Sequence, residues 1–531
     1  MLNPFTVEVI RNAFDSIASQ MNNNLARSAY TPTIYEMKDC STGLFDKDVQ
    51  LLGESAGLPI FLGNLQAVIQ ATTDHFGGPE IYQPGDVYMV NDSYITGSHL
   101  NDVTIFSPIF YEDELIGFGA NKAHWMDVGA KEPGETTDST EIYQEGFRLG
   151  PTRVYRAGEP VEEVIDFLCR NSRLPNAIRG DMAAQIAACR TGELRMRELY
   201  ERFGGETIRE ASQLIFEQCE KLDSEAVSAI PDGEYRAEGQ LDSWGNGGDP
   251  VPVVVTVRVE GDQLTIDLEG SSEKTPGAVN CGFAQTVSGA RLAYRFLVNP
   301  EAPVTAGTFR NLHVQARPGL VFHAQEPAAC QFYYAHIGLM IDLIIKALSQ
   351  VLPERVVAGQ TASAENVIFS GIDRTTGGTW VCAESSAIGW GAHSEGSGAD
   401  AMVNYGAGDL KNFPVEVLEA RFPLRVNHYG IRRGSGGDGT HRGGDGITRE
   451  YEALDDVFVT LWFERTLTPP WGLFGGEDGS PTQVHVTHAG SDSSERIMKI
   501  NRLPLAAGSK VLVETGGGGG YGAPTSPALE K

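Results

Sequence analysis

The spacing of apolar positions changes several times along the chain, and each change predicts a change of element. Val9, Ile10, Phe14, Ile17, Met21 and Leu25 recur at helical spacing, so residues 5–30 are expected to form one amphipathic helix with Thr6 as its N-cap. Residues 41–115 read as strands and turns, because short β-branched and aromatic runs are punctuated by DKD, PGD, ND and YED. Within them, DVTIFSPIFYEDELIGFGANKAH (102–124) reads as a β-hairpin turning at Glu112–Glu114. Residues 158–222 carry apolar side chains at i, i+3, i+4 and i+7 through EPVEEVIDFLCRN, RGDMAAQIAACRTGELRMRELYERF and ETIREASQLIFEQCEKL, a block of helices. From about 225 the pattern turns to β in GEYRAEGQLDS and PVVVTVRVEGDQLTIDLEGS. Helical spacing returns at 285–298 and 332–351, and strands with glycine-rich loops follow from about 360. No repeat of fixed period is present. The expected class is α+β: a multidomain chain of mixed β-sheets with a central helical block and glycine-rich loops. Its expected parts are an N-terminal metal-site region (1–157), the helical block (158–224), an α+β domain (225–359) and a β-rich C-terminal region (360–531).

Length supports this division, since 531 residues exceed what one core accommodates. Hydrophobic and charged contents of 41% and 21% are those of a soluble globular protein. The net charge of −29 argues against nucleic acid or an anionic membrane surface as partner. Seven scattered cysteines without a C-x-x-C argue for reduced thiols in a cytosol, against a disulfide framework or a cysteine–zinc site. The N-terminus lacks the apolar core of a signal peptide, no run approaches a membrane span, and a cytoplasmic location is expected.

Histidine is scarce, with 11 in the chain, yet two H-x-x-D pairs fall within residues 85–127: His99/Asp102 and His124/Asp127. If the hairpin forms, the first pair precedes one strand and His124 follows the other, so the two pairs meet in space. Imidazole and carboxylate together suit Zn²⁺, Mn²⁺ or Fe²⁺ better than Ca²⁺ or Mg²⁺. A lone H-x-x-D in a loop is more often a surface hydrogen-bonded pair.

The glycine-rich stretches GSGGDGTHRGGDG (434–446) and TGGGGGYGAP (515–524) lack the order of a phosphate-binding loop, so tight turns or close backbone packing are expected there. Cys40 has no histidine near it in sequence, and no serine lies in a strand-to-helix nucleophile elbow, which leaves neither as a nucleophile.

A dozen blocks in order carry a resemblance to the hydantoinase B family. They include FTVEVIRNAFDSIASQM, DCSTGLFD (39–46), GDVYMVNDSY, the histidine pairs, EIYQEGFRLGP, NSRLPNAIRGDMAAQIAACRTGE, GSSEKTPGAVN, RFPLRVNHYGIRRGSGGDGTHRGGDGITREY, ERTLTPPWGLFGG and VETGGGGGYGAP. That family covers N-methylhydantoinase B, the matching half of 5-oxoprolinase, the beta subunits of caprolactamases, and subunits of acetone and acetophenone carboxylases. The chain departs from the usual pattern in YEMKDC (35–40), YITG (94–97), Trp125–Met126 and Ala130, which puts the substrate in question more than the chemistry.

The resemblance implies a metal held by Asp39, His99, Asp102 and His124, with Asp127 as a fifth ligand or as the partner of a histidine. Five such residues leave one ion, or two ions bridged by a carboxylate, open. Glu145 is a candidate general base or proton shuttle; its alternative is an ion pair with Arg148. Catalytic roles are thus expected of Glu145 and Asp127. Asn91 and Asp92 orient the ligands or form a turn, and Arg173, Arg179 and Asp181 brace the helical block. The cofactor expected is one or two divalent transition-metal ions (Zn, Mn or Fe), with ATP on a partner of the hydantoinase A type, in a hetero-oligomer holding two or more copies of each. The partner would phosphorylate a cyclic amide (hydantoin, lactam or oxoproline), and metal-bound hydroxide on this chain would open the ring. Two alternatives remain: ATP-dependent carboxylation of a ketone of the acetone or acetophenone type, and a non-catalytic scaffold for the ATP-binding partner.

Overall fold

A computed structural model describes residues 2–55, 57–61 and 63–524. The first helix spans Pro4–Ser28 and buries Val7, Ile10, Phe14, Ile17, Met21 and Leu25. Its N-cap is Asn3 rather than Thr6: the Asn3 side chain accepts the Phe5 N–H at 3.0 Å, and Pro4 takes the first helical position, where no N–H is needed. Val9, expected on the buried face, is 47% exposed, because it lies one position round from the Val7–Ile10–Phe14 stripe.

Seven strands form the sheet that positions the site: β1 (Cys40–Asp46), β2 (Leu51–Ser55), β3 (Val87–Val90), β4 (Asp102–Tyr111), β5 (Glu114–His124), β6 (Thr152–Arg156) and β7 (Glu159–Pro160). Their order is β2-β1-β5-β4-β3-β6-β7, every neighbouring pair antiparallel. The expected hairpin is β4–β5. Glu112 and Asp113 turn it with φ of 49° and 64°, the two positive values a type I′ turn requires. Register then places Asp102 opposite His124, Val103 opposite Ala123 and Phe106 opposite Ala120. Strand β1 pairs with the other edge of β5, Cys40 against Ala123.

Both faces of this sheet are covered. The first helix and the long Pro175–Phe203 helix lie on one, tied down by Thr42 Oγ1 donating to Ala18 O (2.8 Å) and Asn121 Nδ2 to Gln185 O (2.9 Å). Phe45, Phe106, Phe118 and Tyr88 point the other way, onto Leu65, Val68 and Ile69 of a Leu65–His75 helix. That helix corrects the reading of 41–115 as strands and turns alone; Leu65, Val68, Ile69 and Thr72 are spaced as a helical stripe, short and flanked by turn residues. The helical block comprises Glu162–Arg170, Pro175–Phe203 and Gly205–Ser228.

A second sheet, β8 (Gly233–Leu241), β9 (Val251–Glu260), β10 (Gln263–Asp267) and β11 (Leu312–Gln315), has the order β11-β10-β9-β8. Alternate residues of β9 (Val251, Val253, Val255, Val257, Val259) join a core with Leu339 and Leu343 of the Tyr333–Ala347 helix. Two antiparallel sheets of four and five strands follow from Asn366 to Glu514. The glycine-rich segments are buried beside them. Gly518 donates to Gly444 O and accepts from Gly437 N–H, Gly519 pairs with Gly359 and Ala392, and Gly520 with Glu477 and Leu473, each at 2.9 Å. This is the expected close packing of backbones. Among the described residues no helix is long and apolar enough to cross a membrane.

Candidate metal centre

The hairpin register and the β1–β5 pairing assemble the cluster. Asp102 opens β4, His124 closes β5 directly opposite, and the His124 N–H donates to Asp39 O at 3.1 Å, which sets Asp39 beside them. His99, in the turn before β4, folds back so that its Nε2 lies 2.9 Å from Asp102 Oδ1 and 3.2 Å from His124 Nδ1. The third edge, His124 Nδ1 to Asp102 Oδ1, is 3.4 Å. Donors placed tetrahedrally around an ion at Zn–N and Zn–O distances stand about 3.3 Å apart, so this triangle has the size of one face of such a site. All three residues are buried.

The surroundings prepare these atoms for a cation. His99 Nδ1 lies 3.0 Å from Gln331 O and 3.1 Å from Gln331 Nε2, which holds the ring with Nε2 facing the cluster. Tyr333 donates its hydroxyl to Asp102 Oδ2 (2.8 Å), fixing the carboxylate while Oδ1 faces the histidines. Asp39 Oδ1 is buried and accepts no hydrogen bond, an orphaned anionic oxygen beside two imidazoles. Electrostatics agree. Burial pushes His99 down, but the charge and hydrogen bond of Asp102, with Glu135 behind, outweigh it and bring His99 up to about 9. Burial pushes Asp102 up, and His99 and His124 more than reverse this, holding it well below the usual carboxylate range. Asp39, desolvated but attracted by His124, rises to about 6. The pocket thus favours positive charge among its carboxylates. The donor set, the triangle and the orphaned oxygen fit a divalent transition metal.

The other residues singled out from sequence fall elsewhere. Asp127 lies apart from the cluster, beyond the end of β5: its carboxylate accepts from Ser172 Oγ (2.9 Å), Arg173 N–H (2.6 Å) and Arg173 Nη1 (2.8 Å), anchoring the turn before the long helix. It has no free oxygen for catalysis. Glu145 is fully buried behind His99 and pairs with neither a substrate space nor Arg148, which binds Asp92 and Glu326 instead. It accepts from Ser139 Oγ (2.6 Å) and from the N–H groups of Cys330 (2.9 Å) and Gln331 (3.0 Å), so it holds the segment whose carbonyl grips His99. Burial brings it up to about 7 against those bonds. Neither carboxylate lines the cavity: their oxygens accept from Ser139, Ser172, Arg173 and the 330–331 backbone, so in this fold both serve as positioning contacts. Asn91 ties Leu100 O and Phe147 O (2.8 and 3.0 Å), steadying the turn that carries His99, and Asp92 caps the Ser93–Thr96 helical turn. Asp181 accepts from Tyr30 and Thr31, bracing the helical block against the lead-in to β1, while Arg179 makes a surface pair with Asp166. Burial pushes the Cys40 thiol up to about 12, which suits a packing role.

Ahead of the cluster opens a cavity partly open to solvent, onto which His99, Asp102 and His124 face. Its lining includes the apolar Leu58, Ile60, Phe61 and Leu410 and the polar Glu135, Tyr334 and Asn366. Sequence reasoning found none of Glu135, Gln331, Tyr333, Tyr334 and Asn366. No motif marks them, and they come from segments far apart in the chain.

The profile of the Hydantoinase B/oxoprolinase family matches residues 3–524. The B component of a putative D-/L-hydantoinase of Pseudomonas sp. (strain NS671) is 32% identical over 100% of this chain and 92% of its own length. The beta subunit of caprolactamase from Pseudomonas jessenii is 29% identical over 98% of this chain and 91% of its own. The crystal structure of ATP-dependent caprolactamase from Pseudomonas jessenii matches with a TM-score of 0.93 at 27% identity, over 98% of this chain and 92% of that one. A nucleotide-free acetone carboxylase structure shares the fold, with a TM-score of 0.88 at 19% identity over 98% and 76% of the two chains. With the family profile matched across nearly its whole length and relatives aligned end to end, this chain belongs to the hydantoinase B/oxoprolinase family.

Proposed function

We propose that this chain is the metal-dependent component of an ATP-dependent cyclic amide hydrolase, opening a hydantoin, lactam or oxoproline ring that a hydantoinase A type partner has phosphorylated on the amide oxygen. The observation that carries this reading is the buried His99–Asp102–His124 triangle, which lines a cavity together with apolar and polar side chains. Relatives described as the B component of a hydantoinase, the beta subunit of a caprolactamase and an ATP-dependent caprolactamase support the substrate class, the heteromer and the use of ATP. The backbone-packed glycine segments support placing the nucleotide on the partner, because their N–H groups are already spent on neighbouring carbonyls.

His99 Nε2, His124 Nδ1 and Asp102 Oδ1 would hold the ion, with Asp39 Oδ1 as the fourth donor. Bound there, Zn²⁺, Mn²⁺ or Fe²⁺ supplies a Lewis acid that lowers the pKa of water toward neutrality. Tyr333 would keep Asp102 turned toward the ion, and Gln331 would hold the His99 ring with Nε2 facing it. Leu58, Ile60 and Phe61 exclude bulk water and pack a ring against the cluster. Phosphorylation by the partner turns a poor amide electrophile into a good one, so the isolated chain should be inactive.

The test is elemental analysis of the purified chain, as wild type and as His99→Ala/His124→Ala, followed by an ATP-dependent ring-opening assay with the partner. About one to two equivalents of a transition metal per chain, lost in the double variant together with ring opening, is the expected result. No metal on purification and none regained with Zn²⁺ or Mn²⁺ would sink the proposal in favour of a scaffold. Bicarbonate-dependent consumption of a ketone without ring opening would replace hydrolysis by carboxylation.

A further inference from the structure

The cavity facing the cluster has a charge pattern that bears on which ring it takes. Its lining includes four carboxylates, Asp39, Asp102, Glu135 and Glu384, and among the described residues no lysine or arginine. Asp102 belongs to the His99–Asp102–His124 cluster, and Asp39 is the proposed fourth donor. Glu384 is neutralised from outside the cavity: the buried Arg449 guanidinium lies 2.9 Å from its Oε2, and its Oε1 accepts the Phe413 N–H at 3.0 Å. Glu135 is different. It is 4% exposed, yet no Arg or Lys lies within ion-pair distance of it among the described residues. Its Oε2 accepts from Asn366 Nδ2 (3.2 Å) and the Tyr334 hydroxyl (3.3 Å), which pin the carboxylate in one orientation. Its Oε1 lies 3.9 Å from His99 Nδ1, beyond hydrogen-bond reach, and that nitrogen is already committed to Gln331. The cavity thus presents a pinned acceptor whose Oε1 takes no hydrogen bond from the described residues, in the same lining as Leu58, Ile60 and Phe61 and 3.9 Å from His99 Nδ1.

We infer that Glu135 is the specificity-determining acceptor for the ring N–H of an uncharged cyclic amide, and that the cavity rejects rings bearing a carboxylate. This rests on the reading of the chain as a cyclic amide hydrolase and narrows its substrate class. An N–H donated to a buried carboxylate makes a charge-assisted bond, stronger than a neutral one. The same N–H is a still better donor in the O-phosphorylated, N-protonated form of the amide. A ring lacking that hydrogen leaves Glu135 Oε1 desolvated and unpaired, the situation in which hydrogen-bonding sites discriminate most sharply. The phosphoryl group on the amide oxygen would face the metal cation, but a carboxylate on the ring carbon next to the N–H would be stripped of water beside Glu135 with no guanidinium or ammonium to meet it. The methylenes of a plain lactam or the flat ring of a hydantoin fit the Leu58–Ile60–Phe61 wall instead.

Three probes separate these features: ε-caprolactam, its N-methyl derivative and 5-oxoproline. Their Kd values for the full chain are measured by ligand-observed NMR, and their kcat/KM with ATP and the A-type partner. In the wild type, which needs no variant to fold, ε-caprolactam is expected to bind at least ~10-fold tighter than either other probe. In Glu135→Ala the preference for N–H over N-methyl should collapse to within ~3-fold, and in Glu135→Gln, which keeps an acceptor oxygen, the discrimination against 5-oxoproline should shrink while the N–H preference persists. Equal binding of 5-oxoproline and ε-caprolactam by the wild type, undetectable binding of all three rings, or preferences unchanged in both variants would overturn the inference. The binding preference without any ATP-dependent turnover would overturn the hydrolase reading and leave Glu135 its role. Turnover of 5-oxoproline with the neutral rings rejected would do the reverse.

Discussion

The metal-site end of the seven-stranded sheet and the glycine-rich interior of the C-terminal region are both buried and polar, but they are built in opposite ways. At the sheet end, side chains make the structure: His99, Asp102, Tyr333, Gln331 and Glu145 form a chain of contacts in which each residue orients the next. In the C-terminal interior, backbones do it, and side chains are excluded. A Cβ on Gly518 would lie 1.9 Å from Trp390 O, and one on Gly519 2.0 Å from Trp471 O, while neither glycine has a positive φ. Their requirement is space, not conformation. Scarce histidines here mark a place where chemistry is concentrated, whereas abundant glycines mark one where nothing but the main chain fits.

The contrast is greatest at Gly518. Gly518→Ala should cost more than ~4 kcal/mol or abolish soluble protein, read by yield and thermal unfolding, because the new methyl meets main-chain atoms of Trp390 that cannot swing away. A soluble variant with unchanged Tm would mean that the glycine interior has room for side chains after all.

At the sheet end the effect should appear in function before stability. His99→Ala or His124→Ala should lower ring-opening kcat/KM by at least ~10³-fold, about 4 kcal/mol of transition-state stabilisation, with the circular dichroism spectrum retained. Retained activity at full metal loading would remove these residues from the ligand set.

His336 sits on the Tyr333–Ala347 helix that links the two regions, and it contrasts with His99. Burial against Phe322 and Cys281 pushes it down to about 3. Its folded pKa is depressed below the unfolded value of 6.5, so the folded state keeps it neutral while the unfolded chain takes up a proton. Stability from this residue is therefore full above about pH 6.5 and is lost as pH falls toward 3, the loss reaching ~3 kcal/mol by pH 4. His336→Met should flatten that part of the stability–pH curve in denaturant titrations at pH 7 and 4. An identical slope in wild type and variant would contradict the neutral buried state.

Tyr333→Phe removes one hydroxyl from Asp102 and should weaken metal affinity ~10–100-fold by competition with a chelator, at little cost in fold. The smallest effect is expected at Gly150, which has open space around it and no positive φ: Gly150→Ala should stay within ~0.5 kcal/mol of wild type. A large loss there would show that glycine content, not crowding, sets the sensitivity.

Local sequence was enough for the α+β class, the β4–β5 hairpin and the meeting of His99 with His124. The physical reason is short-range: strand alternation and a two-residue turn leave one register, and that register puts Asp102 against His124. Local sequence also pointed to close backbone packing in the glycine runs, which the Gly518, Gly519 and Gly520 hydrogen bonds show. Long-range packing alone chose which carboxylates face the cavity. Asp127 and Glu145 flank Glu135 in sequence, yet Arg173 and Ser172 claim the first, and the 330–331 backbone claims the second. Glu135 is left facing the cavity because Tyr334 and Asn366 hold its far oxygen from segments 199 and 231 residues away in the chain. Short-range periodicity sets register, but it carries no information about which distant segment will reach a given side chain first, and that competition is what assigned the roles.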